Sequence, residues 1–141
     1  FTPSQAYDFI ANVAENGGGA TNGIIAVTIA KPSGWNITVP GLTLTGTNQS
    51  GTNGTSNVFG GSPNNNGDWF FRQDANFVYA TSKPGVIISK SGLSAVGFIA
   101  TRKVSTSTGT NQNLGVTIES GSGGDKTDAN NSALVGLSTS N

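Results

Sequence analysis

Seven carboxylates carry nearly all the acid–base chemistry open to this chain: Asp8, Glu15, Asp68, Asp74, Glu119, Asp125 and Asp128. Its 141 residues include no histidine and no cysteine. The usual general base near neutral pH is therefore missing, together with the commonest transition-metal ligand. Disulfides, thiolate nucleophiles, thiolate zinc sites and every Ser-His-Asp or Cys-His arrangement are excluded as well. A glycosidase-like pair of acids is the catalytic arrangement that the arithmetic still permits. Most of the seven stand at turns or strand ends, where a solvated carboxylate is the ordinary outcome. The expectation is a non-catalytic protein with no required cofactor.

Three constellations remain as binding candidates. Asp125, Asp128 and Asn130 crowd one loop behind Gly123-Gly124 and offer the oxygen donors that Ca²⁺ takes. Their spacing is not that of an EF-hand, and Asx-rich turns form without metal. Trp35 follows the turn Lys31-Pro-Ser-Gly34 and is the aromatic expected to be most exposed, hence the candidate for stacking on a sugar ring. Trp69, Phe71 and Tyr79 are its possible companions, although Trp69 and Phe71 share one parity and should fill a core. Asn36, Asn48, Asn53 and Asn130 each open an Asn-x-Ser/Thr triplet, an acceptor for N-glycans on an export route that has the transferase. A Lys–Asn isopeptide link is not expected, because the first strand holds no lysine and Lys31 sits at a turn.

The elements that must position these residues read as strands. Tyr7, Phe9, Ala11 and Val13 alternate with Asp8, Asn12 and Ala14, a period of two. Glu15–Gly19 breaks the pattern; Ile25, Val27 and Ile29 resume it. Trp35, Ile37 and Val39 follow, with Leu42 and Leu44 as a continuation beyond Pro40-Gly41. From Gly46 to Asn66 the chain is almost entirely Gly, Asn, Thr and Ser, which predicts a short strand around Val58 or a functional loop. Asp68–Arg72 and Asn76–Ala80 are apolar on both parities and should be covered on both faces, with Gln73–Asn76 as the hairpin turn between them. A brief strand is expected over Val86–Ile88, the longest from Val96 toward Arg102, and two more on Leu114–Ile118 and Ala133–Leu137. The last of these should lock the domain shut. No helical stripe appears, and the count of about seven to ten short strands predicts an immunoglobulin-like antiparallel β-sandwich, one all-β domain over residues 1–141 with a polar excursion at 45–66.

Composition narrows the setting. Seven basic residues balance seven acidic ones, and only 10% of the chain is charged. A nucleic-acid binder normally carries a basic excess, so nucleic acid is not an expected partner. No apolar run is long enough to span a bilayer, so no membrane insertion is expected. Low charge with abundant Thr, Ser, Asn and 21 glycines suits secreted and surface-displayed β proteins. The lack of any methionine reads as a processed chain or a segment of a longer one.

The order of turn and core motifs carries a resemblance. Pro-Ser-Gly-Trp (32–35), Gly-Asp-Trp (67–69), Lys-Pro-Gly-Val-Ile-Ile (83–88), Ser-Gly-Leu-Ser-Ala-Val-Gly-Phe (91–98) and the closing Gly-Gly-Asp…Ala-Asn-Asn-Ser-Ala (123–133) follow one another along nearly the whole chain. This resembles the Ig-like conserved-repeat and CARDB-like domains of bacterial surface proteins, most of all those of SprB-type gliding and adhesion proteins in Bacteroidota. The resemblance implies a tandem stalk or adhesin module, exported to the cell surface, whose partners are neighbouring repeats. The stretch Thr45–Asn66 is longer than the usual connection in that group.

Three functional readings follow. The first is an extracellular, non-catalytic stalk or adhesin repeat; the second is a filament subunit joined to like subunits by strand addition. The third is a carbohydrate-binding module built on Trp35. A surface glycan or a protein receptor is the expected external partner, met by the loops Thr45–Asn66 and Ser105–Gln112.

Overall fold

A computed structural model describes residues 1–55 and 61–141. The chain is an all-β antiparallel sandwich. Its strands are β1 (Ala6–Ala14), β2 (Ala26–Ala30), β3 (Trp35–Thr38), β4 (Gln49–Ser50), β5 (Gly54–Thr55), β6 (Pro63–Asn64), β7 (Trp69–Gln73), β8 (Phe77–Ser82), β9 (Leu93–Arg102), β10 (Asn111–Ile118) and β11 (Ser132–Ser138). A small sheet has the order β1-β9-β3, and a large one β11-β10-β2-β8-β7-β4; β5 and β6 make a separate two-stranded ribbon. The strand expected around Val58 lies outside the described residues.

Alternation sets the facing surfaces. Val27, Ile29, Trp69, Phe71, Val78 and Ala80 point inward from the large sheet and are sealed from solvent; Val96, Phe98 and Ala100 meet them from β9. Trp69 keeps its indole N–H satisfied by donating to Ser94 Oγ at 3.0 Å. The opposite face of β7 and β8 is only half-covered, contrary to the expectation of burial on both sides. There Arg72 lies 3.8 Å over the Tyr79 ring, Phe77 is tilted against the same ring, and the Lys83 amine lies 5.4 Å over Phe70. These aromatics are outward neighbours on one sheet face rather than a second core.

Three other expectations change. Leu42 and Leu44 pack against the core from irregular backbone, not from a continued strand. Val86–Ile88 is also irregular: Ile88 is buried and exchanges bonds with Thr21, while Ile87 faces solvent. β11 does not lock the sandwich. Ala133, Val135 and Leu137 do point inward, opposite Val116, Leu114 and Gln112. Of these only Leu137 is buried, and Val135 remains 43% exposed.

The polar excursion has a structural task. β4 pairs with β7 and extends the large sheet. Farther on, Asn65 and Asn66 occupy the side of β9 that β3 leaves uncovered. The Asn66 carboxamide donates to Gly97 O at 2.9 Å and accepts from Gly97 N at 2.8 Å, copying the two bonds of a strand residue while fully buried. Asn65 bonds Ala95 differently, its backbone N–H donating to Ala95 O at 2.8 Å and its side-chain Oδ1 accepting from Ala95 N at 2.9 Å.

Both ends of the chain meet at one pole. Arg102 ends β9 on the inward parity of Val96, Phe98 and Ala100, and is buried. Its guanidinium donates to the carbonyls of Phe1 (2.9 Å), Ser140 (2.6 Å) and Thr106 (2.7 Å). Phe1 also bonds along the outer side of the closing segment, its nitrogen donating to Ser138 O and its carbonyl accepting from Ser140 N, both at 2.9 Å.

Candidate functional site

The opposite pole carries a cleft of about 680 Å³, within the usual range for ligand sites. One wall is the Glu15–Gly19 turn after β1; the other is the loop between β10 and β11, with Ile25 and Ile118 as the floor. The loop can follow this path because Gly121, Gly123 and Gly124 all take positive φ, the left-handed region where a side chain is disfavoured. Gly123 also passes so close to Ile25 that a Cβ would stand 2.8 Å from Ile25 Cγ1. Its N–H donates to Ile24 O and its carbonyl accepts from Asn22 N, so the loop is fastened to the segment before β2.

The acids of the cleft mostly serve their own turns. Glu15 is bonded by the Ser91 and Gly17 amides. Those bonds, the Ser91 amide foremost, hold its carboxyl below the usual glutamate range despite an opposing contribution from desolvation. Asp125 Oδ1 accepts from Thr127 N at 2.9 Å, which lowers its pKa, helped by the Asn131 side chain. Lys126 and Asn130 are among the other polar residues of the lining.

The three residues considered for calcium all stand on the loop between β10 and β11. Asp125 and Asn130 line the cleft, while Asp128 accepts a bond from Ser120 Oγ at 2.9 Å and is not part of the lining. Among the described residues no group of three or more acidic, histidine or cysteine side chains could hold a metal ion. The loop reads as Asx-stabilised turns around a cleft.

Trp35 is not a sugar platform. It is 1% exposed, inward on β3 with Ile37 and Val39, and its ring meets the edge of Phe1 at 5.7 Å. The alternation Trp35-Ile37-Val39 outweighs the turn that precedes it. Trp69 and Phe71 are core, as their shared parity implied, and Tyr79 donates its hydroxyl to Asp74 Oδ2 at 2.6 Å under the Arg72 guanidinium. The glycan acceptors Asn36, Asn48, Asn53 and Asn130 are all exposed. Asn53 Oδ1 also accepts from Gly67 N at 2.6 Å. Of the two loops expected to make contacts, Ser105–Gln112 sits at the pole of the chain ends, bound to the Lys31–Gly34 turn through Thr106 and Gln112.

Glu15, Lys126 and Asn131 were not singled out in the sequence as parts of a site. A cleft between two loops 100 residues apart has no local pattern. No protein-family model matches this chain, and no curated protein or solved structure is significantly similar to it.

Proposed function

We propose that this chain is a non-catalytic adhesive module of an extracellular bacterial surface protein, held at one pole and presenting the Glu15/Asp125/Asn130 cleft at the other. One observation carries the reading: the Arg102-clamped ends and the cleft lie at opposite ends of the strands. The same observation weighs against a stalk repeat loaded along its length. Force entering at Phe1 and leaving at Ser140 would pull on the clamp at a single pole, not along the sandwich. A filament subunit joined by strand addition is the second reading, favoured by the edges of β1 and β11, which end their sheets with no further strand among the described residues.

Binding of the folded chain to arrays of surface glycans and extracellular proteins tests the first reading. The double substitution Asp125→Asn with Asn130→Ala should remove the array signal. Lys103→Ala, at the far pole where its amine bonds Ser33 O, should leave it unchanged. Binding that survives the cleft substitutions, or that both changes reduce equally, would count against the cleft.

A further inference from the structure

One margin of the sandwich is unfinished. β1 ends the small sheet and β11 ends the large one; neither has a further strand partner among the described residues, and on β11 Phe1 occupies the edge at the chain-end pole, at Ser138 and Ser140. The inward side chains along this margin are also incompletely covered. Phe9 and Ala11 on β1, and Val116 and Ile118 on β10, are only partly buried, although they share faces with fully sealed neighbours. Val135 on β11 is more open still. The inner face of β11 is thus open at Ala133 and Val135, and this open face together with the free side of β1 makes the slot considered below.

We infer that the slot is filled by β11 of a second copy of this chain, in a two-fold dimer. The overhanging strand of one copy has the shape of the gap in the other, and a two-fold axis running along the strands fills both gaps at once. Each β1 then pairs with the partner's β11, and the inner faces of the two β11 strands, Ala133, Val135 and Leu137, pack against each other. Direction agrees. β1 runs from the pole of the chain ends to the cleft, whereas β11 starts beside the cleft and finishes at Ser138, so the new pairs are antiparallel.

Charge agrees as well. β11 has no charged residue and no proline, and β1 has only Asp8, so neither edge carries the usual guards against pairing. A formal net charge of zero adds no repulsion between copies. Asp8 supplies a further sign: its Oδ1 is shielded from solvent with no hydrogen-bond partner among the described residues, on the outer face of β1. The arriving β11 brings the hydroxyls of Ser132 and Ser138 to that face. Because the axis follows the strands, both clefts of the dimer face the same way, which suits bivalent attachment.

Sedimentation and light scattering of the whole chain test the dimer. The wild type should be a closed dimer at micromolar concentration. Ile118 bonds Asn131 and Thr139 bonds Thr110 on the β10 side, so by alternation Leu134 turns its N–H to the free edge. Leu134→Pro should therefore block the new ladder and leave the β10 ladder whole. Val135→Lys places a charge that is solvated in the monomer and desolvated twice in the dimer, and should weaken association by about a hundredfold or more. Both variants should keep the circular dichroism of the wild type.

A cross-link that does not depend on weakening the fold completes the test. Val135→Cys, the sole cysteine in the chain, should join to its own symmetry mate through a short bis-maleimide, and Val104→Cys in an exposed loop should not. A monomeric wild type overturns the proposal. So does an open-ended polymer, a dimer that survives both edge variants, or equal cross-linking at the two cysteines.

Discussion

The two margins of the sandwich are built from the same kind of residue and end differently. On the β7–β8 side, alternating apolar residues are sealed completely, β4 extends the sheet, and Asn65–Asn66 close the neighbouring flank of β9. On the β1–β11 side, equally good alternation leaves Phe9, Val116, Ile118 and Val135 partly in water. The difference is one of supply. The excursion delivers extra backbone and carboxamides to one margin, whereas at the other Phe1 reaches the closing segment at Ser138 and Ser140 and leaves the rest of β11 uncovered. Alternation decides which way a side chain points; a covering segment decides whether it is buried.

The largest test of this contrast is a pair of truncations. Trp69→Ala on the closed side would remove a fully enclosed ring and its bond to Ser94, and should cost about 3–5 kcal/mol. Val135→Ala on the open side should cost less than about 1 kcal/mol in dilute protein, since little surface is lost from packing. Urea unfolding of both variants measures the two values. Comparable losses would mean that the open margin is already closed in solution.

Asn66 sharpens the comparison at intermediate size. Asn66→Ala leaves both the N–H and the carbonyl of Gly97 without partners in a buried place, which should destabilise by about 2–3 kcal/mol. Asn66→Asp keeps the acceptor and loses the donor, so it cannot restore the pair. Hydrogen exchange at Gly97 reads the effect directly: the amide should lose protection while Phe71 and Ala80 keep theirs. If Gly97 stays protected, the carboxamide is not what closes this flank.

Much of this was legible in the residues. Parity alone placed Trp69 and Phe71 in the core, and the same parity, carried one step farther along β9, puts Arg102 inside with Val96, Phe98 and Ala100. The argument that Trp35 stands next to a turn failed because its alternation with Ile37 and Val39 is the stronger constraint. The role of Asn66 was not legible: a side chain imitating a strand leaves no periodic trace in a run of Gly, Asn and Thr. Neither was the exposure of β11, since its pattern matches that of a buried strand. The cleft depends on Gly123 crossing Ile25, a contact between segments far apart in sequence.

Acid supplies the smallest and most local test. Asp74 on the closed side accepts bonds from the Tyr79 hydroxyl and the Asn76 and Phe77 amides; these lower its pKa, the Tyr79 bond most of all. Glu15 and Asp125 at the open side are lowered by turn amides. Each folded-state pKa lies below the unfolded value. The stabilisation is therefore whole above the ordinary carboxylate range, near pH 4, and is lost as pH falls through the depressed values. Asp74 is exposed and Glu15 and Asp125 are partly so, so the effect should be local loosening and not global unfolding. Between pH 6 and acid, exchange corrected for its intrinsic pH dependence should rise at the Thr127, Gly17 and Ser91 amides. The Asn76 and Phe77 amides should respond less, because Arg72, Tyr79 and the Lys31 bonds to Gln73 and Asp74 still hold that hairpin after Asp74 is protonated. An equal response at both places would show that the two margins differ in packing alone and not in how firmly their loops are held.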